Sequence, residues 1–212
     1  MREARFGRIA EIVGAVARQA LRDRGMTRIA LLDDGGPEAD LAARILAQAL
    51  GAEGLIRVTA SDGEVESVLH LSPQAEPDTL RHEIRRLRAR LRPGALAAHP
   101  ANKTALLLDA KFPPEPLLPL GDLWASEVAE LAGGWSAPDA VTRIAGQAGG
   151  IAALDDALRA CVDGRDPAGL DALPADAADA VRRALAAGRA ARMHPVLVPK
   201  VGTRTLGVDL FD

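Results

Sequence analysis

The chain opens with the spacing of an amphipathic helix. Phe6, Ile9, Val13, Val16 and Ala20 recur at three- and four-residue intervals, and Gly25 supplies a stop. Arg28 to Asp33 is then a short apolar run of strand type. Gly35-Gly36 makes a turn and Pro37 suits the first position of a helix. Leu41, Ile45, Leu46 and Ala49 give that helix an inward face, which ends at Gly51. Leu55 to Thr59 is the next strand. Strand, glycine turn, helix and strand make a βαβ unit, which calls for parallel strands.

Val65 to Ser72 predicts a third strand, and Ala95 to Ala98 a fourth, small and buried. Between them Asp78 is expected to cap a helix in which Leu80, Ile84, Leu87 and Leu91 form an inward stripe. Pro93-Gly94 ends it. Helical patterns follow over 101–110, 122–132, 137–146, 151–162 and 174–192. Asp122 stands where an N-cap belongs, and Ser136 with Asp139 matches a capping box with Asp in the acidic slot. From His194 onward, Pro195 and Pro199 predict an extended or looped tail. The expected fold is α/β, a Rossmann-like parallel β-sheet flanked by helices with a helical C-terminal half, in one domain over 1–212.

Composition narrows the function classes. Aromatic residues are 2% and Tyr is absent, so the core must be Leu, Ile, Val and Ala, and few rings exist to stack bases. A net charge of −3 offers polyanions no general attraction, so no nucleic-acid partner is expected. Arg81, Arg85, Arg86, Arg88, Arg90 and Arg92 crowd one helix and are expected on a solvated face. Cys161, the single cysteine, is expected as a buried structural thiol; a chain with one cysteine fits a reducing cytoplasm. Glu3, Arg5, Arg8 and Glu11 interrupt any signal-peptide core, and no apolar run is long enough for a membrane span. A cytoplasmic location without membrane contact is therefore expected. His70, His82, His99 and His194 lack ligand spacing, and one cysteine builds no zinc site.

Three segments carry the candidate chemistry. Asp34-Gly35-Gly36-Pro37-Glu38-Ala39 follows the first strand. Ala101-Asn102-Lys103-Thr104-Ala105 opens a predicted helix, and Leu118-Pro119-Leu120-Gly121-Asp122-Leu123-Trp124 leads into the next. Their order and spacing resemble the ammonia-dependent NAD synthetases, which have the adenine-nucleotide hydrolase-like fold. In that family the first loop reads Ser-Gly-Gly-x-Asp-Ser; its N–H groups and hydroxyls cradle the ATP pyrophosphate and its Asp holds magnesium. The resemblance implies nucleotide-binding positions at Gly35, Gly36, Glu38, Asn102, Lys103 and Thr104. It implies dinucleotide-binding positions at Arg86 and Arg88, metal ligands at Glu38 and Asp34, and ATP with magnesium as cofactors. It also implies deamido-NAD as ligand and a homodimer.

The departures from the family are chemical. Asp34 stands for the first Ser and puts a carboxylate where phosphate oxygens should lie. Glu38 replaces the Asp, and Ala39 lacks the second hydroxyl. The family's Gly-Thr-x-Asn-Lys-Thr-Glu reads His99-Pro100-Ala101-Asn102-Lys103-Thr104-Ala105, without the magnesium Glu. His99, at the family's glycine, is expected as a loop residue. A Tyr-Gly-Asp loop is cut to Lys111–Glu115, and Ala125 replaces a Lys after Trp124. Leu154 to Leu158 resembles the family's late acidic helix, and Pro199-Lys200-Val201 with Arg204 to Asp209 resembles its C-terminus. In chemistry of this kind one missing donor typically costs about 10²–10³ in rate.

The expectation is an NAD synthetase homologue, of a family that amidates deamido-NAD with ammonia through an adenylated intermediate, with activity lost or much reduced. The alternatives are a non-catalytic nucleotide- or dinucleotide-binding regulator and a structural dimeric partner. Ile29 to Asp34 is also similar to the acidic pair of phosphate-accepting receiver domains. Leu69-His70-Leu71-Ser72 lacks the acceptor Asp which that reading requires.

Overall fold

A three-stranded parallel sheet forms the centre of the N-terminal half. The computed structural model describes residues 2–62, 64, 76–109, 115–188 and 196–201. In chain order the first elements are α1 (Arg2–Asp23), β1 (Arg28–Leu32), α2 (Pro37–Leu50), β2 (Leu55–Val58), α3 (Pro77–Arg90) and β3 (Ala95–Ala98). The strand order is β2-β1-β3, with Ile29 in register with Leu55 on one side and Leu96 on the other. β1 reads as an unbroken apolar run because both of its faces are covered. Ile29 and Leu31 pack with Ile9, Val13, Leu41 and Ile45 of α1 and α2. Ala30 and Leu32 pack with Val58, Ala89, Ala95 and Ala97 beneath α3. α1 and α2 approach closely at Gly14, where a Cβ would lie 2.3 Å from that of Ala49.

Two extended segments widen the sheet beyond β3. Leu117 bridges Ala98 in parallel, and Leu197 bridges Leu117 in parallel. The tail expected to be extended or looped thus runs beside the sheet over residues 196–201. The helical half comprises α4 (Lys103–Leu108), α5 (Ala125–Ala132), α6 (Asp139–Gln147), α7 (Ile151–Leu158), a π turn over Arg159–Asp163, a 3-10 turn over Pro167–Ala172 and α8 (Ala175–Ala187). Leu107, Leu108, Trp124, Val141, Leu154, Leu158 and Val181 form its core. No helix among the described residues is long and apolar enough to cross a membrane.

Several sequence expectations shift. α3 begins after Glu76, with Pro77 in the first turn, so Asp78 lies inside the helix and does not cap it. The second half of its apolar stripe does not face inward: Leu80 and Ile84 are half-buried, but Leu87 is 59% and Leu91 70% exposed, and Ala89 is the residue that docks on the sheet. The sheet beneath offers mainly alanines, and a small residue brings the helix closest. Asp122 does not cap α5, because Leu123 and Trp124 separate it from the helix and Trp124 takes the N-cap position. Ser136 does not cap α6, which starts after Pro138; its hydrogen bonds go elsewhere. The helix expected over 151–162 widens into the π turn from Arg159. Cys161 lies in that turn and is only partly buried. The predicted strand 65–72, residues 189–192 of the last predicted helix and the C-terminal resemblance from Arg204 lie outside the described residues.

Candidate functional site

In a parallel α/β sheet, ligands bind in the crevice beyond the carboxyl ends of the strands. Here that edge is built by the turn after β1, the segment after β3 and the first turns of α3. Gly35 adopts φ +79°, a conformation that favours glycine, and turns the chain from β1 into α2. Such a turn aims backbone N–H groups at one point and suits an anion.

The chain's own carboxylates take those N–H groups. Gly35 donates to Oδ1 of Asp33 at 2.9 Å, and Gly36 donates to Oδ1 of Asp34 at 2.9 Å. Asp33 is buried and paired with Arg57, whose Nε lies 2.5 Å from Oδ2. Burial alone would raise the Asp33 pKa, but Arg57 and the Gly35 amide outweigh it and hold it below the ordinary carboxylate value. Arg57 also bonds Asp40 at 2.6 Å. The turn is thus anionic and already satisfied.

Glu38 is 6% exposed and is likewise committed to protein partners. Its Oε2 accepts from the Ser136 hydroxyl at 2.6 Å, its two oxygens accept the Ser136 N–H at 2.9 and 3.0 Å, and Oε1 accepts from Asn102 Nδ2 at 3.3 Å. Burial raises its pKa, Ser136 pulls it back, and Asp34 adds a small rise. A Cβ on Gly36 would lie 2.8 Å from Oγ of Ser136 and 3.0 Å from Oδ1 of Asp34. Among the described residues no group of three His, Cys, Asp or Glu side chains is placed to hold a metal ion.

Asn102, Lys103 and Thr104 each hold a structural position. Asn102 caps α4, its Oδ1 accepting from Ala105 N at 3.0 Å. Lys103 is 1% exposed. Its Nζ lies 2.7 Å from Oδ1 of Asp163, 3.9 Å from Oδ1 of Asp122 and 4.6 Å from the centre of the Trp124 ring. Thr104 donates to Oδ1 of the buried Asp155 at 2.6 Å and accepts from Ala125 N at 3.0 Å. Oδ2 of Asp155 accepts from Ser126 N at 2.7 Å. Oδ2 of Asp122 accepts from Val201 N at 2.9 Å and anchors the tail.

Arg86 and Arg88 are not brought together, because positions two apart point to opposite sides of a helix. Arg86 bonds Glu115 at 3.0 Å and Glu83 at 2.6 Å. Arg88 bonds the Thr59 carbonyl at 2.7 Å and Glu64 at 3.1 Å. The cluster that sequence reasoning missed surrounds Arg86. His82 of α3 and His99, just past β3, meet edge to face with ring centres 5.4 Å apart. Glu115 is fully buried, and its Oε2 has no hydrogen-bond partner among the described residues. Spacing did not reveal this group because its members are 17 and 16 residues apart and no motif joins them.

No protein-family model matches the chain, and no curated protein matches its sequence. Among solved structures, the NH3-dependent NAD synthetase from Campylobacter jejuni subsp. jejuni NCTC 11168, in complex with the nitrate ion, is similar over 93% of this chain and 99% of that one. The TM-score is 0.63 and the identity 14%. The likeness is one of fold.

Proposed function

We propose that this chain is a non-catalytic relative of the ammonia-dependent NAD synthetases, which keeps the fold and has given up the phosphate loop. One observation carries the reading: the Gly35 and Gly36 amides are held by the carboxylates of Asp33 and Asp34. An ATP phosphate in that turn would displace one anion while facing another. Two like charges about 4 Å apart repel by roughly 1 kcal/mol in water and about 4 kcal/mol at the effective dielectric of a protein surface. Asp34 is exposed, which places its share near the lower figure.

The donors present do not fit magnesium–ATP either. Glu38 is saturated by Ser136 and Asn102, and the position where the family carries its magnesium Glu is Ala105. The internal bonding of Asn102, Lys103 and Thr104 favours a scaffold or partner role over turnover. Homodimerisation and a cytoplasmic location belong to the same proposal.

The test is NAD formation from deamido-NAD, ATP, magnesium and ammonia at high protein concentration, beside an authentic synthetase. Background rates are expected. Turnover within about a hundredfold of the control, the loss of roughly one donor, would overturn the reading.

A further inference from the structure

α6 and α8 lie side by side and share the core of the helical half through Val141, Ala145, Ala177 and Val181. Above that seam each helix presents a matching set of positions: 140, 143, 144 and 147 on α6, and 176, 179, 180 and 183 on α8. Both sets have the i, i+3, i+4, i+7 spacing of one helix face. Together they line a groove of about 390 Å³, within the range of small-molecule sites, about 300–1,000 Å³. Its apolar lining is Ile144, Ala140 and Ala180, and the two alanines are too short to fill the seam. Its charged lining is Arg143, Arg183, Asp176 and Asp179.

Both arginines are withheld from the partners their own helices offer. Asp139 precedes Arg143 by four residues and Asp179 precedes Arg183 by four, the favourable order and spacing for an ion pair along a helix. Neither pair forms among the described residues. Asp179 Oδ1 instead bonds Arg182 at 3.0 Å, and Arg182 is held further by Asp171 at 2.9 Å. Among the described residues the Arg143 and Arg183 guanidinium groups and the Asp176 carboxylate have no hydrogen bond or ion pair. The groove thus sets two open cations beside Asp176 and the second oxygen of Asp179, over an apolar seat. A simple anion would meet the two acids there, and a simple cation would meet the two arginines. A ligand with one charge of each sign matches both sets.

We infer that the groove between α6 and α8 binds a small zwitterion, an ammonium and a carboxylate joined by a short apolar body, as in a free amino acid or a dipeptide. The carboxylate goes to Arg143 and Arg183, the ammonium to Asp176 and Asp179, and the apolar body to Ile144 and the two alanines. None of these residues belongs to the turn at Gly35–Gly36, and the site does not depend on whether the chain makes NAD.

The test titrates L-leucyl-L-alanine into the full chain while the Ile144 methyl resonances are followed. A saturable shift with a Kd of about 1 mM or below is expected. N-acetylation of the dipeptide removes its ammonium and C-terminal amidation removes its carboxylate, and each should weaken binding about tenfold or more. Arg143→Gln and Arg183→Gln should weaken binding of the free dipeptide by a similar factor. Without ligand both variants should melt with the wild type, because exposed, unpaired side chains contribute little to stability. Asp176→Asn should weaken the free dipeptide but not its N-acetyl form, a coupling that a purely structural acid in the first turn of α8 would not show. Shifts that fail to saturate by about 10 mM would overturn the proposal. So would equal binding of the free, acetylated and amidated dipeptides, or binding that persists unchanged in Arg143→Gln and Arg183→Gln.

Discussion

Lys103→Met separates a structural lysine from a ligand-binding one. The Lys103 ammonium lies between Asp163 at 2.7 Å and Asp122 at 3.9 Å, over Trp124. Both ends of the shorter pair are well shielded, with side-chain exposures of 2% and 20%, so solvent screening discounts it little. Methionine keeps the aliphatic stem and removes the charge. Removing one partner of a buried pair typically costs about 3–5 kcal/mol, because the remaining carboxylate stays desolvated. At about 2–4 °C per kcal/mol for a chain of this size, the melting temperature should fall by roughly 6–20 °C. Urea unfolding supplies the free energy independently. Asp163→Asn in the Lys103→Met background should recover part of the loss, with a coupling of about 1 kcal/mol or more. A loss below about 1 kcal/mol in Lys103→Met, or strict additivity in the double variant, would refute the structural assignment. Lys103 would then be a residue kept for a ligand, and its loss would appear in binding and not in stability.

Three further outcomes follow from the same bonds. His99 has a folded pKa of about 3 against an ordinary value of 6.5, so its contribution is complete above pH 6.5 and is lost as pH falls toward 3. The free energy of urea unfolding should decline in that window with a His99 share of up to about 1.4 kcal/mol per pH unit, and His99→Gln should make the decline shallower; an unchanged acid slope in the variant would count against it. Burial raises Glu38, so the folded state holds its proton more tightly; that stabilisation is present below its ordinary value of 4.5 and is lost as pH rises through the raised pKa. Glu38→Gln should therefore gain on the wild type as pH rises, and a trend in the other direction would contradict the assignment. Gly36→Ala forces a Cβ against Ser136 Oγ and should lose about 1–3 kcal/mol in denaturant unfolding, whereas a neutral result would show that the Glu38–Ser136 contact is dispensable.

What could be read from the sequence was whatever local pattern decides. β1, the glycine turn, α2 and β2 fall where spacing puts them, because a buried strand and an amphipathic helix both write their burial into consecutive residues. α3 shows the limit. Its periodicity gave a helix but not the face turned inward, because the helix overhangs the end of the sheet and Ala89 sets the docking. Ser136 and Asp122 were misplaced for a related reason. A short polar residue before a helix looks like a cap, yet Ser136 is claimed by Glu38, 98 positions earlier, and Asp122 by Val201, 79 positions later. Bonds across such separations leave no trace in spacing.

The same distinction explains the candidate site. Asn102 ties α4 to Glu38 of α2, while Lys103 and Thr104 tie α4 to Asp163 and Asp155 within the helical half. Each has a partner inside the chain, so each would be retained with or without a ligand. Where the synthetases carry a hydroxyl, an acid and a lysine, this chain has Ala39, Ala105 and Ala125, all buried and none able to donate, accept or carry charge. Under the proposed function, what survives is what the fold needs, and what is absent is what only a nucleotide would need. Motif survival is therefore weak evidence for activity here. The informative residues are Asp33 and Asp34, because a turn built for an anion that has supplied its own leaves little affinity for another.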